Sequence, residues 1–196
     1  MSTSDSTYHH GSLRTALIEA GMAALEGNEG VDVSLRELAR IVGVSPAAVY
    51  RHFPNKDALL AELGGEGLRI LGTAQRKAYE AAGGGAAGFA ETGRAYVRFA
   101  LAHPALFRLI FTHGEPGRWR ERESDPAREI LEEATQSLAG KGAAAERLAT
   151  QAWAIAHGIS MLMLDNRLPA DDALIDRLLD TRSLFPVQGS KSEESP

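Results

Sequence analysis

The chain has no cysteine among its 196 residues, which excludes disulfides, thiolate zinc sites and thiol nucleophiles. A thiol-free chain also fits a reducing compartment. Long hydrophobic runs are missing as well. The longest nearly apolar stretch, 152–164, is about 13 residues, whereas a bilayer span needs about 20. Residues 1–7 are polar and lack the basic-then-apolar pattern of a secretory leader, so the expected location is the cytoplasm. Catalytic signatures are absent in their turn: no GxSxG, no HExxH and no nucleotide-binding loop. The Gly83-Gly84-Gly85 run is followed by no Lys-Ser or Lys-Thr, so it reads as a loop and not as a phosphate cradle. His103, His113 and His157 lack HxH or HxxxH spacing, and neither a metal nor a cofactor is expected. The acid pairs Glu132-Glu133 and Asp171-Asp172 sit in amphipathic stretches and read as solvated faces. An enzyme is not the expected class.

Positive charge is scarce too. The formal net charge is −5, and the first sixty residues hold five Arg and Lys against seven acids. Any contact with nucleic acid must therefore rest on a local cluster and not on a bulk field.

What remains reads as helix almost throughout. Apolar residues recur at spacings of three and four, and β-branched and aromatic residues never alternate over a strand length. Leu13, Leu17, Gly21, Ala24 and Leu25 form one stripe, stopped by the GNEG at 27–30. Ser34 followed by Glu37 has the spacing of a capping box, opening a helix with Leu35, Leu38, Ala39 and Val42 inward. Gly43 breaks that helix. Ser45 caps a short third one with Pro46 in its first turn, and Phe53-Pro54 closes it. Asn55 can cap a fourth helix running toward Tyr79. Further helices are expected at 87–102, 104–112, 126–139, 143–166 and 171–185. The Ser, Glu and Lys-rich tail, 187–196, is expected to be disordered.

The stretch from Ser34 to Lys56, SLRELARIVGVSPAAVYRHFPNK, carries the function. Two short helices meet across a tight turn at Val42-Gly43-Val44, as in a helix-turn-helix. Ala39 suits the crossing point, and Val44, Val49 and Phe53 are expected inward. Pro46, Ala47, Ala48, Tyr50, Arg51 and His52 are then expected outward. Small side chains at the front let a helix N-terminus approach base edges and touch thymine methyl groups. Arg51 is the long base-reading side chain on this helix. Tyr50, His52 and Lys56 are donors suited to phosphate, and the helix N-termini at Ser34 and Ser45 add backbone N–H groups. Tyr8, His9, His10 and Arg14 could form an arm reaching the DNA backbone or minor groove; a leader and helix start is the alternative.

This string resembles the DNA-binding head of the TetR family of bacterial regulators. Leu38-Ala39, Gly43-Val44-Ser45, Tyr50-Arg51-His52-Phe53, Lys56 and Leu59 match its pattern, within a resemblance covering about Gly11 to Leu63. It implies an all-α homodimer, usually a repressor released from double-stranded DNA by a small ligand. By matching position, Tyr50, His52 and Lys56 would contact phosphates, Pro46, Ala47 and Arg51 would face bases, and Arg36 would assist. The Pro46-Ala47-Ala48 opening departs from the family, which often has Lys or Gly among polar residues there. The expected organisation is an arm at 1–10, the DNA-binding domain at 11–60, an effector-binding and dimerisation domain at 61–186, and the tail. The alternative reading is a helical ligand-binding or protein-interaction module without DNA binding.

In the body, Leu148, Ala152, Ile155, Ile159 and Leu162 form one row on the 143–166 helix. Trp153, His157, Met161 and Leu164 form a second. A helix apolar on two faces must be buried on both, which suggests a two-fold interface made with Leu174, Ile175, Leu178 and Leu179. Trp153 with His157-Gly158 resembles a C-terminal domain type of the same family named for Trp, His and Gly. Arg94 to Ala100 with His103-Pro104 fits that group. Tyr96, Phe99, Phe107, Phe111, Trp153, His157 and Met161 are the candidate walls of an effector pocket, with plain core packing as the alternative.

Overall fold

In the computed structural model the described residues are 10–27, 33–112 and 125–180. Tyr8 and His9 of the expected arm, His113, Trp119 and the tail lie outside them. Helices follow in the order α1 (His10–Gly27), α2 (Leu35–Val42), α3 (Pro46–His52), α4 (Lys56–Ala81), α5 (Gly85–Ala102), α6 (Pro104–Thr112), α7 (Pro126–Ala139), α8 (Ala143–Leu164) and α9 (Asp172–Leu178). No strand occurs among the described residues, and the fold class is all-α.

Two compact units emerge. One comprises the described residues of 1–72 and 102–127, the other those of 73–101 and 128–196. The sequence placed a boundary near residue 60 from the motif alone, whereas the units divide at Gly72 and the first takes in α6 as well.

In the first unit α1 packs on α2 and α6, and α2 on α3. Leu13, Leu17, Gly21 and Leu25 of α1 are buried, as the stripe predicts. Leu38, Val49, Phe53, Leu59, Leu60 and Leu63 complete the inner surface of the head. Burying a side chain such as Phe53 stabilises by about 1.5–3 kcal/mol. Gly72 sits so close to the following segment that a Cβ there would lie 2.5 Å from the Pro126 carbonyl carbon, so no larger residue fits.

In the second unit Val97, Ile159, Met163, Ile175 and Leu179 form the core shared by α5, α8 and α9. Ion pairs along the edge hold α9 to α5: Arg94 with Asp176 at 2.7 Å and Arg98 with Asp172 at 2.8 Å. Asn166, expected as the last residue of the long helix, lies just beyond it. Asn166 adopts a left-handed φ of 54°, which an Asn side chain tolerates, so α8 stops at Leu164. The last helix is also shorter than expected. Asp171 caps it through the Leu174 N–H, and Leu179, with φ −107° and ψ 18°, leaves the helical region. On α8 the inward residues are Ala145, Ala156, Ile159, Ser160 and Met163, while Leu162 is 45% exposed. Of the two apolar rows only Ile159 is buried; Trp153, His157, Met161 and Leu164 are all half-buried, so both rows are only partly covered within the chain.

Candidate nucleic-acid interface

The turn between α2 and α3 depends on Gly43. Its φ of 76° is left-handed, and the Val44 N–H returns to the Ala39 carbonyl at 2.9 Å, closing α2 and aiming α3. Ala39 is buried at the crossing of the two helices. Ser45 then opens α3: its Oγ accepts the Ala48 N–H at 3.3 Å, with Pro46 in the first turn. Asn55 does the same for α4, Oδ1 accepting the Ala58 N–H at 2.8 Å.

The capping box at α2 does not form. Ser34 occupies the N-cap position in extended conformation, but its side chain accepts no capping hydrogen bond. Glu37 turns instead to Arg40, with Arg40 Nη2 donating to Oε1 at 2.6 Å. That hydrogen bond holds the Glu37 carboxyl below its ordinary pKa, so it stays ionised and engaged one turn away from Ser34.

α3 presents a narrower outward face than the sequence suggests. Ala48, expected outward, is only 7% exposed. Ala48 and Val49 are the buried residues of this seven-residue helix, and the buried C-cap residue Phe53 continues their inward side. Pro46, Ala47, Tyr50, Arg51 and Lys56 are exposed and His52 is half-buried. Ala47, Tyr50 and Arg51 share one stripe, since residues three and four apart on a helix face the same way. Ser34, Arg36 and Ser45 are also exposed.

The local charge reverses that of the chain. Residues 33–56 hold Arg36, Arg40, Arg51 and Lys56 against the single acid Glu37, which Arg40 already pairs. Arg36 and Arg51 make no ion pair with another described residue. The acids that give the chain its negative sum lie elsewhere. Arg14, one of the expected arm residues, belongs to α1. It pairs with Glu62 at 2.7 Å, and its guanidinium stands 5.6 Å from the centre of the Phe53 ring. It braces the head and does not extend from it.

The effector candidates fall into two groups. Phe107 and Phe111 lie in the first unit with their rings edge to face, centroids 5.0 Å apart. Tyr96, Phe99, Trp153, His157 and Met161 lie in the second. There the Trp153 indole N–H donates to the Tyr96 hydroxyl at 3.2 Å, and that hydroxyl is 3.0 Å from His157 Nδ1. The indole can only donate, whereas the hydroxyl and the imidazole can each donate or accept according to the histidine tautomer. Burial pushes the His157 pKa below its ordinary value. Among the described residues no group of three His, Asp or Glu side chains could hold a metal ion, and no helix is long and apolar enough to cross a membrane.

Two features escaped the sequence reading. The Arg94 and Arg98 pairs with α9 were signalled by basic residues four apart meeting acids four apart, 94 and 98 against 172 and 176. Gln75 is 4% exposed in the second unit, continuing the apolar row of Leu68 and Leu71.

Comparison with known proteins agrees with this geometry. Residues 17–63 match bacterial regulatory proteins of the tetR family, and residues 89–182 match the tetracyclin repressor-like C-terminal domain. The chain belongs to the TetR family. A Haemophilus influenzae protein described as an uncharacterized HTH-type transcriptional regulator is 29% identical over 118 residues, 60% of this chain. The match spans 57% of that relative's length. A solved structure of a protein of unknown function from Rhodococcus sp. RHA1 is 35% identical, with a TM-score of 0.70, covering 91% of this chain and 95% of that one. This TetR-family chain is thus a transcriptional regulator with a helix-turn-helix DNA-binding domain, and its helical body is of the type in which the family's ligand binding and dimerisation reside.

Proposed function

We propose that this regulator is a repressor that binds a palindromic operator as a homodimer through α8 and α9, and that a small apolar ligand releases it. The observation that carries the reading is the outward stripe of α3, small at Ala47 and cationic at Arg51, flanked by Arg36, which has no ion pair among the described residues. Pro46, Ala47 and Arg51 approach base edges in the major groove. Tyr50, His52 and Lys56 hold phosphates, and Arg36 with the N–H groups near Ser34 and Ser45 secures the flanks. Ala48 contributes by packing, because its side chain is buried. Gene control of this kind operates on the chromosome, in the cytoplasm. The partly exposed row of α8 that ends at Leu162 supports the dimer. A two-fold pair of heads matches a two-fold operator.

Release follows from differential affinity. A ligand favouring one state of the body by about 1–3 kcal/mol changes operator affinity roughly 5- to 150-fold. The test is a mobility shift of the full chain on the upstream region of its own gene. Binding should fall steeply with salt, and Tyr50→Ala or Lys56→Ala should weaken it on every sequence alike. Retention of full affinity in both variants would remove these residues from the interface.

A further inference from the structure

The interior of the second unit holds an acceptor with nothing to accept from. Gln75 on α4 is 4% exposed, and its Nε2 donates to the Thr92 carbonyl at 3.3 Å. That bond fixes the amide, because only the nitrogen can donate to a carbonyl. Oε1 is then the opposite end, fully enclosed and without a hydrogen-bond partner among the described residues. A buried amide oxygen left in this state costs stability, and native interiors keep few of them. The hydroxyls of the unit's other buried polar residues are satisfied locally: Thr92 Oγ1 donates to the Phe89 carbonyl, Thr135 Oγ1 to the Leu131 carbonyl, Ser160 Oγ to the Ala156 carbonyl. Gln75 Oε1 is the acceptor that differs from them.

Its surroundings narrow the class of partner. Thr92 lies one turn before Tyr96 on α5, and both are buried, so the amide meets α5 one turn from the residue that joins the Tyr96–Trp153–His157 chain. No described Asp or Glu of this unit is buried, so an ammonium group would enter without a counter-charge. A neutral O–H donor meets the acceptor at no such cost.

We infer that Gln75 Oε1 is the polar anchor for a neutral, hydroxyl-bearing apolar ligand held on the inner face of α5, recognised by donation of its O–H to that oxygen. The inference deepens the reading of the body as an effector domain and rests on it.

The test uses phenol and toluene, near-isosteres that differ in the O–H, titrated into the full-length protein by calorimetry. In a purely apolar cavity toluene binds better, since phenol gives up its hydrogen bond to water on entry. The inference predicts the reverse, phenol binding about tenfold tighter, with Gln75→Met reversing the preference while keeping the helical circular dichroism. Toluene binding as well as phenol, neither binding at millimolar concentration, or a phenol preference that survives Gln75→Met would each overturn it; in the first and third cases the body still binds ligands. Should Gln75→Met fail to fold, the wild-type preference alone decides. An operator-release screen that finds an effector lacking any O–H or N–H would likewise overturn the anchor while leaving the repressor reading intact.

Discussion

Single side chains divide here between those that build the head and those that look out of it. Phe53 closes α3, fills the inner surface and carries Arg14 over its ring, whereas Arg51 two residues earlier faces away with no ionic partner among the described residues. That contrast was legible in the sequence, because an apolar residue before proline and a cation on the opposite side of a short helix have few other arrangements. Ala48 was not legible. Alanine is small enough for either side, so only the register of α3 against α2 decides its place. His157 is likewise decided by surroundings. Its folded pKa lies below 6.5, so the unfolded chain binds the proton more readily. Stability should be unaffected by this group above pH 6.5 and should fall as pH drops through 6.5 toward the folded value. Thermal melts from pH 7.5 to 5.5 should show this loss, and His157→Gln should lessen it; an unchanged acid slope in the variant would assign the loss to other groups.

At the scale of elements, caps and turns explain most of what was foreseen. Ser45 and Asn55 act as N-caps where the sequence placed them, and left-handed φ is taken by Gly83 and Gly84 between α4 and α5 and by Gly85 at the start of α5. The Ser34–Glu37 box failed because an arginine one turn on competes for the same carboxylate, and the charge-assisted pair prevails. Two glycines of α2–α4 should respond differently to alanine. Gly43→Ala meets open space and carries only the left-handed penalty, about 1–2 kcal/mol. Gly72→Ala must displace main chain at Pro126–Ala127 and should be the more destabilising by denaturant melts. Equal losses would mean that the first turn of α7 yields easily.

For the molecule as a whole, family membership and an all-α fold were within reach of the sequence because one stretch of some twenty residues fixes spacing and residue type together. The body was less legible. Aromatic and Met residues at helical spacing suit core and pocket equally, and the seven candidates fall into two units that no periodicity separates. Gln75 was hidden for a related reason: one polar residue in an apolar row looks like an accident until its burial is seen.

The central claim is that the outward stripe of α3 reads a duplex. Repeated selection of binding sites from a random duplex pool by the full-length protein tests it without knowledge of the operator. The account predicts an inverted repeat with half-sites about one helical turn apart, and a preference relaxed at one base pair per half-site in Arg51→Ala. A pool that stays random after several rounds at low salt would contradict it.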